Sequence, residues 1–208
     1  MEEDYKYVIW FCVVFILFLL LFFIYIGFKG DENYFTYKGK TEDYKFEIMR
    51  IENITFYKIY AYANNMEYII PMRYRPEDVE NISFNLEKSN IIKPNVYITQ
   101  DVGLVNQTDS KSVLALMEFN RILGTANYGI YKLNVASSVI EATNKSIDLG
   151  LPVITCENVT GRDTVVLLRL GHQNRVDTEN GCVILEAENG DDLIRVADRL
   201  SYFLLDVF

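Results

Sequence analysis

Histidine is almost absent from this sequence, which contains only His172 in its 208 residues. A Ser-His-Asp or Cys-His catalytic site would have to use that residue, and the chain contains no Gly-x-Ser-x-Gly nucleophile motif. His172 lies in the polar segment LGHQNRV between two strand-like runs, which predicts a histidine on a surface loop. We therefore predict no catalytic residue.

Motifs for redox chemistry, zinc and phosphate are missing as well. The three cysteines include no Cys-x-x-Cys pair, and the glycines lack the Gly-x-x-x-x-Gly-Lys spacing of a phosphate-binding loop. With a net charge of −9 the chain has no excess of basic residues for a nucleic-acid face. We expect neither a cofactor nor a nucleic-acid partner.

Acidic residues are the remaining candidates for a metal site, because Ca²⁺ prefers oxygen ligands. The two acidic clusters contain Asp177 and Glu179, and Glu186, Glu188, Asp191 and Asp192. Their spacing does not match an EF-hand loop, and Asn189-Gly190 predicts a turn from which two aspartates begin a helix. We predict no metal site here, and a solvated rim for Arg162, Arg169 and Arg175.

A long apolar run lies near the start of the chain. Residues 7–28, YVIWFCVVFILFLLLFFIYIGF, carry no charge, and a helix of this length covers roughly 33 Å, enough for a bilayer core of about 30 Å. The run is too long for a signal peptide, follows the acidic segment MEEDYK and precedes no Ala-x-Ala-like cleavage site. The sequence predicts a tail over 1–6, an uncleaved transmembrane helix over 7–28 with the lipid bilayer as partner, and a stalk over 29–42.

Two features place the remainder of the chain, 43–208, outside the cell membrane. Five triplets fit the N-glycosylation acceptor, where chance would give roughly one or two; they begin at Asn53, Asn81, Asn106, Asn144 and Asn158. Cys12 lies in the predicted span, so Cys156 and Cys182 remain as a pair on two strand-like segments, and we predict a disulfide between them.

Each of these features has an alternative explanation. Asn, Ser and Thr favour turns without carrying sugar, and two reduced cysteines pack well in a core. Basic residues also follow the predicted span, at positions 29, 38, 40 and 45, and the positive-inside rule alone would leave the domain in the cytosol.

Periodicity and caps predict an α+β domain, a mixed α/β sandwich in which helices cover a mostly buried sheet. The predicted strands lie across 43–74, with a turn at Asn64-Asn65, and at 95–99, 128–136, 151–156, 164–170 and 182–187. The predicted helices are a short one in 75–82, one at 109–124 and one over 191–208. Asp109 or Ser110 caps the helix at 109–124, and Gly124 ends it. The strand, helix and strand between 95 and 136 have the length of a βαβ unit.

The segments PVITCENVT and NGCVILEAENGDDLIRVADRLSYFLLDV, together with the acidic start and the single span, resemble uncharacterised single-span archaeal envelope proteins. The similarity is strongest over 150–208. It implies an exported domain and archaeal glycosylation, and it transfers no catalytic residue to this chain.

Three functions fit these observations. The first is a membrane-anchored envelope protein whose outward domain binds or scaffolds other envelope proteins. The second is an extracytoplasmic hydrolase of envelope glycans, with a site built from distant carboxylates. The third is a subunit of a membrane complex whose span contacts partner helices through a stripe of phenylalanines, at positions 11, 15, 18 and 22; contact with lipid explains the same stripe.

Overall fold

The computed structural model describes residues 2–28, 33–63, 65–106, 111–124 and 129–208, without the side chains of 2–5, 8, 12, 24–28, 105 and 106. The chain divides into two units, Met1–Phe35 and Thr36–Phe208. The helices are α1 (Glu2–Phe28), α2 (Pro76–Val79), α3 (Lys88–Ile91), α4 (Val102–Asn106), α5 (Lys111–Leu123), α6 (Asn144–Asp148) and α7 (Gly190–Leu204). The strands are β1 (Tyr34–Lys38), β2 (Asp43–Ile51), β3 (Ile54–Ala63), β4 (Met66–Met72), β5 (Ser83–Phe84), β6 (Asn95–Gln100), β7 (Asn134–Val139), β8 (Asp163–Leu170), β9 (Arg175–Glu179) and β10 (Cys182–Ala187).

Helix α1 forms most of the first unit, and all of its described side chains are exposed. These include the four phenylalanines of the predicted stripe. Over the residues that the structure describes, no helix is found with the length and hydropathy required to cross a membrane. The span over 7–28 therefore stays a prediction. Strand β1 lies inside the segment predicted to be a stalk.

The second unit has the predicted α+β character, with two sheets rather than one. A four-stranded sheet has the order β1-β2-β3-β4, and a six-stranded sheet has the order β5-β9-β10-β8-β6-β7. In the larger sheet β10, β8, β6 and β7 run parallel, whereas β9 is antiparallel to β10. The predicted βαβ unit is confirmed: β6 precedes α5 in the sequence, β7 follows it, and the two strands pair in parallel.

Helix α7 contacts both sheets, and this contact decides where the core lies. It packs against β8, β9 and β10 of the larger sheet, while the ring of Tyr202 packs edge-on against Phe46 of β2, 6.0 Å away. Asp198 Oδ2 accepts hydrogen bonds from the backbone N–H groups of Arg73 and Tyr74, at 2.9 and 2.8 Å, just after β4. The apolar stripe of the helix predicted over 191–208 indicated that one face of this helix packs against a sheet. On the other side of the helix, the segment that follows β4 contacts Asp198, which is fully buried. The guanidinium of Arg199 lies against the rings of Phe84 and Phe208, 4.4 and 4.0 Å away.

Several predicted elements are confirmed nearly residue for residue. The strands at 164–170 and 182–187 are β8 and β10, and most of their residues are buried, as continuous apolar runs predict. Asn189 caps α7 by accepting hydrogen bonds from the N–H groups of Asp191 and Asp192. The β3–β4 hairpin is confirmed with Asn65 at a positive φ of 60°; Asn64 lies outside the described residues.

The strand predicted at 128–136 is wrong in its first half, because β7 covers Asn134–Val139. Gly124 ends α5 with a φ of 69°, as predicted, and residues 130 and 131 lie against the end of the helix. The N–H groups of Ile130 and Tyr131 donate to the carbonyl of Ile122, so these apolar residues satisfy a helix terminus and join no sheet. The proposed caps Asp109 and Ser110 lie outside the described residues.

The strand predicted at 151–156 is also wrong. Only Val153 forms an isolated bridge, with Val139, and Cys156–Asn158 is a 3₁₀ turn capped by Thr155. The segment crosses the face of the larger sheet, where Ile154, Cys156 and Val159 pack over a buried cluster of β8 and β10. The apolar residues Ile154, Cys156 and Val159 are therefore only partly buried, because they pack on the face of the larger sheet and do not form one of its strands.

Candidate functional site: a tyrosine-lined groove

A groove of about 430 Å³ lies at the carboxyl end of α7, beside the four-stranded sheet. It forms at the point where β2 and β3 diverge. The described pairing of these two strands ends at Phe46 and Ile59, whereas β3 continues to Ala63 and pairs with β4 over this stretch. The polar and aromatic residues that line it are Glu42, Tyr44, Tyr60, Tyr62, Tyr131 and Asp206. We call this site the tyrosine groove.

The floor of the tyrosine groove is the last turn of α7. Asp206 adopts a left-handed conformation, with φ of 63°, and the N–H groups of Asp206 and Val207 donate back to the carbonyls of Phe203 and Tyr202. This is the Schellman pattern of helix termination. The carbonyls of Leu204 and Leu205 remain directed out of the helix end, so side chains must satisfy them.

Side chains of the groove supply these hydrogen bonds. Tyr131 Oη donates to the carbonyl oxygen of Leu204 at 2.7 Å, and Tyr44 Oη donates to that of Asp206 at 3.0 Å. Lys88 Nζ donates to the same Leu204 oxygen at 3.2 Å and lies 2.7 Å from Asp206 Oδ1. Burial alone would lower the pKa of Lys88, but the interactions with Asp206 and Tyr131 together outweigh burial and raise that pKa. A cation is therefore stabilised at this helix end, as the helix dipole requires.

The wall formed by β3 carries two tyrosines on one face of the strand. Tyr60 Oη donates to Glu47, which also accepts from Lys58 Nζ at 3.2 Å, and both contacts lower the pKa of Glu47. Tyr62 is 79% exposed, and a hydrogen bond to Glu67 raises its pKa. The hydroxyl groups of both tyrosines therefore hydrogen-bond to acids, and the ring of Tyr62 is largely exposed to solvent.

A second polar cluster lies on the face of the larger sheet, across β8, β9 and β10. Arg169 and Arg175 both contact Glu179 and Glu186, with the 2.6 Å pair between Arg169 and Glu186 among the shortest. Hydrogen bonds from both arginines lower the pKa of Glu179; for Glu186 they outweigh burial, which acts in the opposite direction. The cluster is a closed ion-pair network.

This network corrects the prediction of a solvated rim for Arg169 and Arg175, whereas Arg162 is exposed as predicted. It also accounts for Glu179, Glu186 and Asp177, which pairs with Arg175 at 2.8 Å, without a metal ion. Among the described residues no group of acids, histidines or cysteines could hold a metal. His172 lies in the exposed bend between β8 and β9, as predicted.

Two buried carboxyl groups have raised pKa values. Burial raises the pKa of Asp198 well above its usual value, and it raises that of Glu118 despite ion pairs with Arg73 and Arg121. The two residues are 0% and 1% exposed, and neither lines the tyrosine groove. They fasten α5 and α7 to the end of β4.

The predicted disulfide is present. Cys156 and Cys182 are bonded, with their Cα atoms 5.2 Å apart, although Cys156 lies on the 3₁₀ turn and not on a strand. Cys182 is fully buried. The bond ties the crossing segment to the centre of the larger sheet.

The described acceptor asparagines are all exposed, but their surroundings differ. Asn53 and Asn81 lie in surface turns. Asn144 begins α6, and the hydroxyl of its triplet belongs to Ser146, which is 1% exposed and caps the helix through Thr143. Asn158 Oδ1 accepts from the N–H of Thr155 at 2.8 Å. Asn106 ends α4, and its side chain lies outside the description.

Sequence reasoning missed the tyrosine groove. One signal was available, since the chain has 15 tyrosines and the run YKIYAYA places Tyr60 and Tyr62 on the same face of β3. Tyrosine is enriched in interface cores. The contribution of Tyr131 and of the helix end could not be anticipated, because it depends on how distant segments meet.

Comparison of the chain with protein-family models, curated proteins and solved structures finds no match. The similarity of residues 150–208 to archaeal envelope proteins therefore stays an expectation from the sequence.

Proposed function

We propose that this chain is a membrane-anchored envelope protein whose carboxyl-terminal domain faces outward and binds other proteins, as an accessory subunit of a surface or membrane assembly. The observation that carries the proposal is the disulfide between Cys156 and Cys182. Disulfides of this kind persist in oxidising compartments and are rare in the cytosol. A bond that fastens the crossing segment over the main sheet favours an extracytoplasmic domain.

The anchor is supported by the character of α1. It is one unbroken helix of 27 residues, about 40 Å long at the usual rise per residue, and its described side chains from 13 to 23 are all apolar and exposed. Apolar side chains that face no protein need another apolar environment, and a bilayer provides one. The same exposure allows the phenylalanine stripe to contact the helices of partner subunits.

The surroundings of the acceptor asparagines divide them into two groups. Among the described triplets, those at Asn144 and Asn158 have a structural role as helix and turn caps, so local structure explains their sequence. No such role is described for Asn53 and Asn81. We therefore expect glycans at Asn53 and Asn81. Attachment joins the amide Nδ2 to the anomeric carbon of a lipid-phosphate-linked sugar, releases the lipid phosphate and passes one amide proton to a base.

The alternative function, a hydrolase of envelope glycans, requires an accessible carboxyl group with a raised pKa beside a second carboxylate. Glu42 and Asp206 both line the tyrosine groove, which is the observation in its favour. The carboxyl groups whose pKa is clearly raised, Glu118 and Asp198, are buried elsewhere. Binding is therefore the function that we propose.

Intact-mass analysis of the protein purified from its own cells tests the outward location. We expect a mass above the 24.2 kDa of the bare chain and a gain of two hydrogens on reduction. Asn53→Gln and Asn81→Gln each remove one glycan mass, whereas Asn144→Gln, the matched control, leaves the mass of the glycans unchanged. An unmodified chain with two free thiols would refute the proposal.

Protease added to intact cells provides a second test that does not depend on glycans. An outward domain is digested while a cytoplasmic marker protein stays whole. Purification in mild detergent then addresses the partners: we expect other envelope proteins to remain bound, and a chain that is always recovered alone would contradict the role of accessory subunit.

A further inference from the structure

The tyrosine groove combines three features that each attract a positive charge. The first is the carboxyl end of α7, where aligned peptide dipoles leave a partial negative charge. The carbonyls of Leu204 and Asp206 accept hydrogen bonds there from Tyr131 and Tyr44. These tyrosines fix the positions of the carbonyls and close one side of the groove.

The second feature is a pair of carboxylates at the rim. Glu42 is exposed, and the side chain of Asp206 is 62% exposed even though it pairs with Lys88. Within the described residues, no lysine or arginine lines the groove, and Lys88 and Lys58 contact acids, Asp206 and Glu47. The groove therefore keeps an excess of negative charge, in agreement with the charge of the whole chain, −9.

The third feature is the set of aromatic faces. The ring of Tyr62 is largely exposed, and those of Tyr44, Tyr60 and Tyr131 line the same groove. The faces of aromatic rings are negative and attract cations placed above them. Lys88, which does not line the groove, shows that the adjacent end of α7 holds an ammonium group, since it donates to a helix-end carbonyl and lies beside an acid.

We propose that the tyrosine groove binds an arginine or lysine side chain of a protein partner. This inference rests on the proposed protein-binding function and names the chemistry of the partner at that site. Arginine fits best, because its planar guanidinium stacks on a tyrosine ring while its N–H groups donate to the carboxylates of the groove. A volume of about 430 Å³ accommodates that side chain with its neighbouring backbone.

Quaternary ammonium groups, such as those of choline lipids, are the competing occupants. They use aromatic faces but have no N–H to donate, so they could offer no hydrogen bond to the carboxylates of Glu42 and Asp206 that line this groove. The acceptors around the groove thus favour a side chain that donates. Anionic ligands are disfavoured by the same charges.

The test measures binding of the full chain in detergent to the peptide acetyl-Gly-Arg-Arg-Gly-amide by calorimetry. The control peptide contains citrulline, which has the shape of arginine without its charge. We expect saturable binding of the arginine peptide and no measurable binding of the citrulline peptide. Phosphocholine is added as a competitor, and we expect it to displace nothing.

Three variants locate the binding. Tyr62→Leu removes an exposed ring face and should weaken binding about two- to fivefold, while Tyr62→Phe keeps the face and retains binding. Glu42→Gln weakens binding and its dependence on salt. Glu188→Gln, which removes an equally exposed acid from the β10–α7 loop, is the matched control and should have no effect.

Equal binding of the arginine and citrulline peptides, or equal losses in Glu42→Gln and Glu188→Gln, would overturn the inference. Displacement by phosphocholine would assign the groove to a lipid headgroup and overturn it too. These results are distinct from a failure of the proposed function, because peptide binding in detergent does not depend on which side of a membrane the domain faces.

Discussion

The two sheets of the second unit are built differently. In the six-stranded sheet, the central strands β8 and β10 are buried on both faces, under α7 on one side and under the crossing segment with its disulfide on the other. The four-stranded sheet is covered on one face only. Phe46, Ile59 and Ile70 form a buried row across it, while Tyr62 and Ile69 on its other face are more than half exposed.

The difference separates stability from binding. The central strands of the larger sheet, buried on both faces, have little surface to offer a partner, and the charged side chains across β8, β9 and β10 pair with one another. The sheet covered on one face keeps exposed aromatic and apolar side chains next to a helix end. Exposed apolar surface beside polar groups is typical of binding sites. Substitutions on the buried and open faces should therefore have opposite effects on folding and binding.

The largest effect is expected from the buried face of the smaller sheet. Phe46→Ala removes a fully buried ring that contacts Tyr202, and we expect a loss of about 3–5 kcal/mol in the free energy of unfolding. Ile69→Ala, on the open face of the same sheet, should cost less than about 1 kcal/mol. Urea denaturation followed by circular dichroism measures both, and equal losses would remove the distinction between the two faces.

The second-largest loss of stability is expected from opening the disulfide. Cys156→Ser opens a bond between cysteines 26 residues apart in sequence, which should reduce the free energy of unfolding by about 3–4 kcal/mol. A reducing agent should destabilise the natural chain to the same degree and leave the variant unchanged. If reduction does not shift the unfolding midpoint of the natural chain, the disulfide does not stabilise the fold and the prediction is wrong.

Breaking the ion-pair network should have a smaller effect that depends on pH. Arg175→Gln removes partners from Glu179 and Glu186 on a side chain that is 14% exposed, and we expect a loss of about 2–3 kcal/mol at neutral pH. The folded-state pKa of both acids is lowered from an ordinary value of 4.5. Their stabilisation is therefore complete above that value and is lost as the pH falls through the lower, folded-state pKa.

Unfolding measured from pH 7 down to pH 2 checks this. The natural chain should lose stability below about pH 4.5, and Arg175→Gln should lose less over the same interval. Arg162→Gln, at an exposed position outside the network, is the control and should follow the natural chain. Parallel curves for Arg175→Gln and the natural chain would contradict a role for the network.

The smallest effect on stability is expected where the effect on binding is largest. Tyr62→Leu changes a side chain that is 79% exposed, so the free energy of unfolding should change by no more than about 0.5 kcal/mol. Urea denaturation of the variant gives this value, and the peptide titration gives the loss of binding. A clear loss of stability would show that Tyr62 supports the fold and would make its binding data uninformative.

The elements that could be predicted from sequence are those set by local chemistry. Residues 182–187 are continuously apolar, and β10 has those bounds. Asn189 with two following aspartates predicts the start of α7. Cys156 and Cys182 predict their own bond, since the remaining cysteine, Cys12, lies in the apolar run near the start of the chain.

The remaining elements depend on distant partners. Strand β9, RVDTE, has the composition of a turn, yet it pairs with β10, and its charged side chains contact Glu186 on that neighbouring strand and Arg169 on β8 beyond it. The apolar residues near Ile130 resemble a strand but satisfy the end of α5. Periodicity reports which residues are buried, and it does not report what covers them.

Residue patterns alone were enough to predict the apolar amino-terminal helix, the α+β character of the remainder, its buried strands and the disulfide between Cys156 and Cys182. The burial of Asp198 and Arg199 and the meeting of four tyrosines at a helix end became visible only in the folded chain. The two groups of features differ in how far apart in sequence the residues that produce them lie. Apolar runs, caps and cysteine pairs act within a few residues or without competitors, whereas the tyrosine groove joins side chains from Tyr44 to Tyr131 with the end of α7, and only folding brings them together.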